Sequence, residues 1–89
     1  MLNRDQLNNV DVNQAANATM QLIDGIQSLP AHYQVFAITA AFKLFTERFN
    51  VDAQSAFSVA HNVMNTNFGR RMEFKGIQLY LENEIKWKQ

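Results

Sequence analysis

The chain has no cysteine, which excludes disulfide staples, thiol nucleophiles and cysteine-ligated zinc. Its glycines are isolated: Gly69 and Gly76 lack the spacing of a phosphate-cradling loop or a dinucleotide fingerprint, and Gly25 falls inside a helical pattern. Charge is scarce too. Charged residues make up 18% of the chain, below the roughly 25% typical of globular domains. Eight Lys and Arg balance eight Asp and Glu, so the molecule as a whole has no electrostatic pull toward nucleic acid or acidic membrane, and any such attraction must be local. No apolar run reaches the roughly 18 residues that a membrane-spanning helix needs. The opening MLNRDQLNNVD lacks the apolar stretch of a signal peptide. The expectation is a cytoplasmic protein without a membrane partner.

What is present is enough for one small folded domain. With 89 residues, 47% hydrophobic and 11% aromatic, the chain can bury a core. Ten Asn and eight Gln make about a fifth of it, dispersed and not in a tract. A polar, weakly charged, near-neutral surface favours association, which raises the expectation of a homo-oligomer or a partner-bound protein.

Residues 1–10 scatter Leu2, Leu7 and Val10 among polar residues and read as a flexible or loosely docked arm. Residues 11–89 read as a single helical domain. A first helix starts at Asp11, a good N-cap, and runs to about Gln27 with Ala15, Ala16, Thr19, Leu22, Ile23 and Ile26 on one face. Ser28-Leu29-Pro30 punctuates the chain, with Ser28 as cap and Pro30 in the first turn of a second helix that ends near Phe49. That helix carries two apolar stripes: Val35, Ile38, Phe42, Phe45 and Phe49, and beside them Phe36, Ala40 and Leu44. Such a wide apolar arc fits the central helix of a bundle, or one that also meets another chain.

Asn50-Val51-Asp52 breaks the pattern, and Asp52 caps a third helix over about 53–66 with Ala53, Ala56, Phe57, Ala60, Val63 and Met64 facing inward. Residues 65–69 read as a loop. A fourth helix from about Arg70 to Trp87 presents Phe74, Ile77, Leu81 and Ile85. The fold expected is therefore an all-α, small four-helix bundle, or three long helices with the N-terminal one loosely attached.

Chemistry-bearing constellations are missing. His32 and His61 stand apart and outside any metal-ligand spacing, so no metal and no cofactor are expected. The carboxylates fall at caps and on polar faces, where they have structural work, and Ser28, Ser55 and Ser58 have no nucleophile-elbow context. No catalytic residue is assigned and the chain is not expected to be an enzyme. One local feature is basic: Arg70, Arg71 and Lys75 follow Phe68 and help residues 69–89 to a net +2. At a helix N-terminus these groups suit an anion, with Phe68 free to stack on a base; a solvated charged face with Glu73 pairing locally is the plainer reading. Phe36, Phe42, Phe45, Phe49, Phe57 and Phe74 fall mostly at core spacing. Tyr33, Tyr80 and Trp87 suit half-buried interface positions because each has a polar tip.

The short, cysteine-free, Asn/Gln-rich and motif-poor character resembles the small accessory proteins of tailed bacteriophages. That resemblance implies a protein that acts by binding and blocking another protein, needing a surface and no active site. The function expected is a non-enzymatic protein–protein interaction module acting through a helical face, with Phe36, Leu44, Tyr80 and Trp87 as interface residues and a second copy of the chain as one partner. The alternative is a nucleotide or nucleic-acid binder using Phe68, Arg70, Arg71 and Lys75.

Overall fold

A computed structural model describes residues 2–83. Helix α1 spans Arg4–Asn8, α2 Val12–Ile26, α3 Ala31–Arg48 and α4 Ala53–Met64. A short antiparallel ladder, β1 (Asn65–Thr66) with β2 (Gly69–Arg70), leads into α5 (Met72–Asn83). The class is all-α. The described residues form five helices in place of the four expected, the addition being α1 within the stretch read as an arm. It is held by a reciprocal cap: Asn3 Oδ1 accepts from the Gln6 N–H, and Gln6 Oε1 accepts from the Asn3 N–H, both at 2.9 Å.

Local chemistry sets most other boundaries. Asp11 caps α2 by accepting from the Gln14 N–H, and Asp52 caps α4 by accepting from the Ser55 N–H, both at 2.9 Å. Pro30 itself is the N-cap of α3, and no side chain, Ser28 included, caps that end. Its carbonyl accepts from the N–H groups of Tyr33 and Gln34. At the other end of α3, Asn50 takes φ 54°, a left-handed conformation that Asn tolerates better than most residues. The N–H of Val51 then reaches back to the Thr46 carbonyl and that of Asn50 to the Glu47 carbonyl, the pair of bonds that closes a helix at such a residue.

The segment expected as a plain loop is a hairpin. Asn65 pairs with Arg70 and Thr66 with Gly69, whose φ of 128° is open to glycine and strained for other residues. Two consequences correct the expected boundaries: α4 stops at Met64, and α5 starts at Met72, because the ladder takes the backbone of Arg70.

The core sits between α2 and α5. Ala16 and Ile23 of α2 meet Phe74 and Ile77 of α5, and Val63 and Met64 from the end of α4 pack against them with Tyr80. Val59 of α4, at 3% exposure, is buried as well. These are the only five buried hydrophobic residues among those described, and none is completely enclosed. Helix α1 lies along α4 and α2 along α5, whereas α3 runs close to no neighbour over any length. The radius of gyration is 13.8 Å, where about 12 Å is expected for a compact chain of this length.

The structure overturns the expectation that the phenylalanines are mostly core. Phe74 is buried, but Phe36, Phe45, Phe49 and Phe57 are exposed, as is Leu22 of α2. Phe42 is half-buried and packs on Phe57 with ring centroids 4.8 Å apart. No described helix is long and apolar enough to cross a membrane.

Candidate functional site

Helix α3 is the feature of this fold that needs explaining. Eighteen residues long, it contains Tyr33, Val35, Phe36, Ile38, Phe42, Leu44 and Phe45, yet none of its residues is buried. Successive residues of an α-helix are turned by about 100°, so the two apolar stripes do not form the single wide arc expected from the sequence but lie on nearly opposite sides. The first stripe borders the rest of the chain but is only partly covered by it, Val35 being 66% and Phe45 60% exposed. Val35 and Ile38 look toward Leu22, Ile23 and Ile26 of α2 across an apolar cleft of about 280 Å³. Phe42, Phe45 and Phe49 look toward Leu7 of α1 and Ala56 of α4 across another of about 160 Å³. Gln34 ties α3 to the end of α2 by donating from Nε2 to the carbonyls of Ile26, at 3.3 Å, and Gln27, at 3.2 Å.

The second stripe faces solvent. Phe36 is 71% exposed and Leu44 64% exposed, with the small, half-buried Ala40 between them. Tyr33, 58% exposed, extends the stripe toward the start of the helix and lies against the His32 ring, tilted by 44° with centroids 4.6 Å apart. Glu47 lies at its other end, bonded at 2.9 Å to Lys43 in the one ion pair among the described residues. Single exposed apolar side chains are ordinary, but a continuous row on one helix is the usual mark of a surface that another molecule covers.

The other sequence-predicted interface residues go elsewhere. Tyr80 is half-buried against the α2–α5 core, and its hydroxyl donates to Gln27 Oε1 at 2.5 Å. Trp87 lies outside the described residues. The basic set stays contiguous. Phe68 stands at the hairpin tip with its ring wholly exposed, Arg70 lies in β2, Arg71 directly precedes α5, and Lys75 lies in the first turns of α5. All three cations are exposed, and Glu73 pairs with none of them. Two of them meet through the backbone, where the Lys75 N–H donates to the Arg71 carbonyl at 2.8 Å.

Among the described residues no three His, Asp or Glu side chains gather as a metal would require. His61 is exposed on α4 and lies near the Asn65 amide. Val35, Phe45 and Phe57, whose spacing predicts core positions, are exposed, and so is Met72. No protein-family model, curated protein or solved structure matches the chain.

Proposed function

We propose that this protein is a non-enzymatic interaction module whose working surface is α3. The observation behind this reading is that α3 is apolar on two opposite sides and buries no residue. Leaving that much apolar surface in water forfeits about 25 cal/mol per Å², and a partner helix or surface laid on it recovers that term. Such a protein acts by occupying a face of another chain, as an accessory or inhibitory protein does. The test is a photoreactive phenylalanine analogue placed at Phe36 in the living cell, with Gln78 on the polar side of α5 as control. Adducts between chains at position 36 and none at 78 are expected. Adducts confined within one chain would show that the stripe folds back on its own domain, and would end this reading.

A second reading rests on the hairpin: single-stranded nucleic acid stacked on Phe68 and held by Arg70, Arg71 and Lys75. It is favoured by the fully exposed ring beside three exposed cations. Fluorescence anisotropy with a labelled single-stranded oligonucleotide tests it. Three phosphate contacts give a slope of log affinity against log salt of about −2, which should flatten to about −0.7 in the Arg70→Ala/Arg71→Ala variant, where Lys75 alone remains. Absence of binding at low salt would sink it.

A further inference from the structure

We infer that the occupant of the outer α3 stripe is a second copy of this chain, docked antiparallel across a two-fold axis at Ala40. This rests on the reading of α3 as an interaction surface and names its partner.

Three observations carry it. First, the stripe is its own complement. Tyr33, Phe36, Ala40, Leu44 and Glu47 are spaced 3, 4, 4 and 3 residues apart, a pattern that reads the same in both directions about Ala40. A two-fold axis there sets Phe36 of each protomer against Leu44 of the other. It sets Tyr33 against Glu47, where a phenol hydroxyl can donate to a carboxylate. Ala40 meets Ala40 at the point of closest approach, where a small side chain lets two helices come together. The mean spacing of 3.5 residues is that of helices crossing at a shallow angle of about 20°. An isologous contact requires this kind of self-matching patch.

Second, the area fits. The accessible surface is 7124 Å², whereas a monomeric domain of this mass is expected to expose about 5,300 Å². The excess is on the order of 1,000–2,000 Å², shared between the α3 stripe and other exposed apolar residues such as Leu22, Phe57, Phe68 and Met72. A standard interface takes about 800 Å² from each partner, and permanent homodimers take more.

Third, charge does not oppose it. The chain is formally neutral, so two copies do not repel. Along the stripe itself the only ionised group is Glu47, already balanced by Lys43.

Light scattering, a cysteine cross-link and dilution test the proposal together. The wild-type protein should have the mass of two chains at micromolar concentration, and Leu44→Asp should have the mass of one. Because the sequence has no cysteine, Ala40→Cys introduces a unique thiol. It should form a disulfide-linked dimer on mild oxidation at least ten-fold faster than Thr39→Cys, which lies about 100° around the helix. The cross-link does not depend on any variant remaining folded as a monomer. Wild-type melting temperature should also rise with protein concentration, as coupled folding and association require. A monomeric wild type overturns the second copy; if Leu44→Asp then remains folded, α3 is still a surface for another protein. If the wild type is monomeric and both Phe36→Asp and Leu44→Asp unfold, the stripe belongs to the core and both readings fail. A dimer in which Thr39→Cys cross-links and Ala40→Cys does not overturns the two-fold geometry.

Discussion

The α2–α5 pair and helix α3 are built from the same kinds of residue and are treated differently by the fold. In α2 and α5, Ala16, Ile23, Phe74 and Ile77 interdigitate and leave water, so their periodic apolar positions become the domain's core. In α3 the apolar residues are divided between two opposite sides, so it is less one-sided than α2 or α5, and its aromatic content is higher, yet every residue keeps some contact with solvent. A helical apolar stripe specifies a face to be covered, while what covers it depends on the geometry of the neighbours. A chain of this size, with five buried hydrophobic residues among those described, is at the lower edge of what a single core stabilises. A partner laid on α3 would add apolar burial to that core.

Truncations on the two sides give the largest expected effects. Phe74→Ala, which empties the centre of the core, should cost about 3–5 kcal/mol and leave little folded protein at any concentration, as read by urea denaturation. Leu44→Ala should leave the dilute protein close to wild type and lose its stabilisation only where the wild type is associated. Equal losses for the two, independent of concentration, would erase the distinction between core helix and interaction helix.

Ile23→Ala, against the same partners from the α2 side, should cost about 2–5 kcal/mol, and comparison with Phe36→Ala at low concentration sharpens the contrast within the apolar set. Smaller effects probe how each region is anchored. Asp52→Ala removes the acceptor of the Ser55 N–H and should lower stability by about 1 kcal/mol, a fall in melting temperature of about 4–8 °C. Tyr80→Phe, which deletes the hydroxyl bonded to Gln27, should cost about 0.5–1.5 kcal/mol by the same measurement. Lys43→Gln should change the stability of the dilute protein by no more than about 0.5 kcal/mol, since its ion pair with Glu47 is exposed and screened.

Much of the fold was legible because it rests on short-range chemistry. Asp11 and Asp52 were readable as caps, since an Asx side chain meets an N–H three residues on whatever the rest of the chain does. The break at Asn50–Asp52 was readable from the turn-forming residues there, although the left-handed Asn50 that closes α3 was not. The ladder between β1 and β2 was invisible because two-residue strands carry no periodic signal. The helix α1 was missed because five residues, held by the Asn3–Gln6 cap, offer too little apolar pattern. The basic set around Phe68 was legible as neighbours in sequence, but its exposure was a property of the hairpin.

By itself, the sequence determined the helical class, the principal helices and the two stripes of α3, because capping and the 3.6-residue period act over one or two turns. It took the packing of the helices to bury Val59 and to leave Leu22, Phe45 and Phe57 in solvent. The physical reason is that burial belongs to pairs of surfaces. A side chain leaves water only where a distant segment arrives to cover it, and along the outer side of α3 this chain supplies no such segment among the described residues.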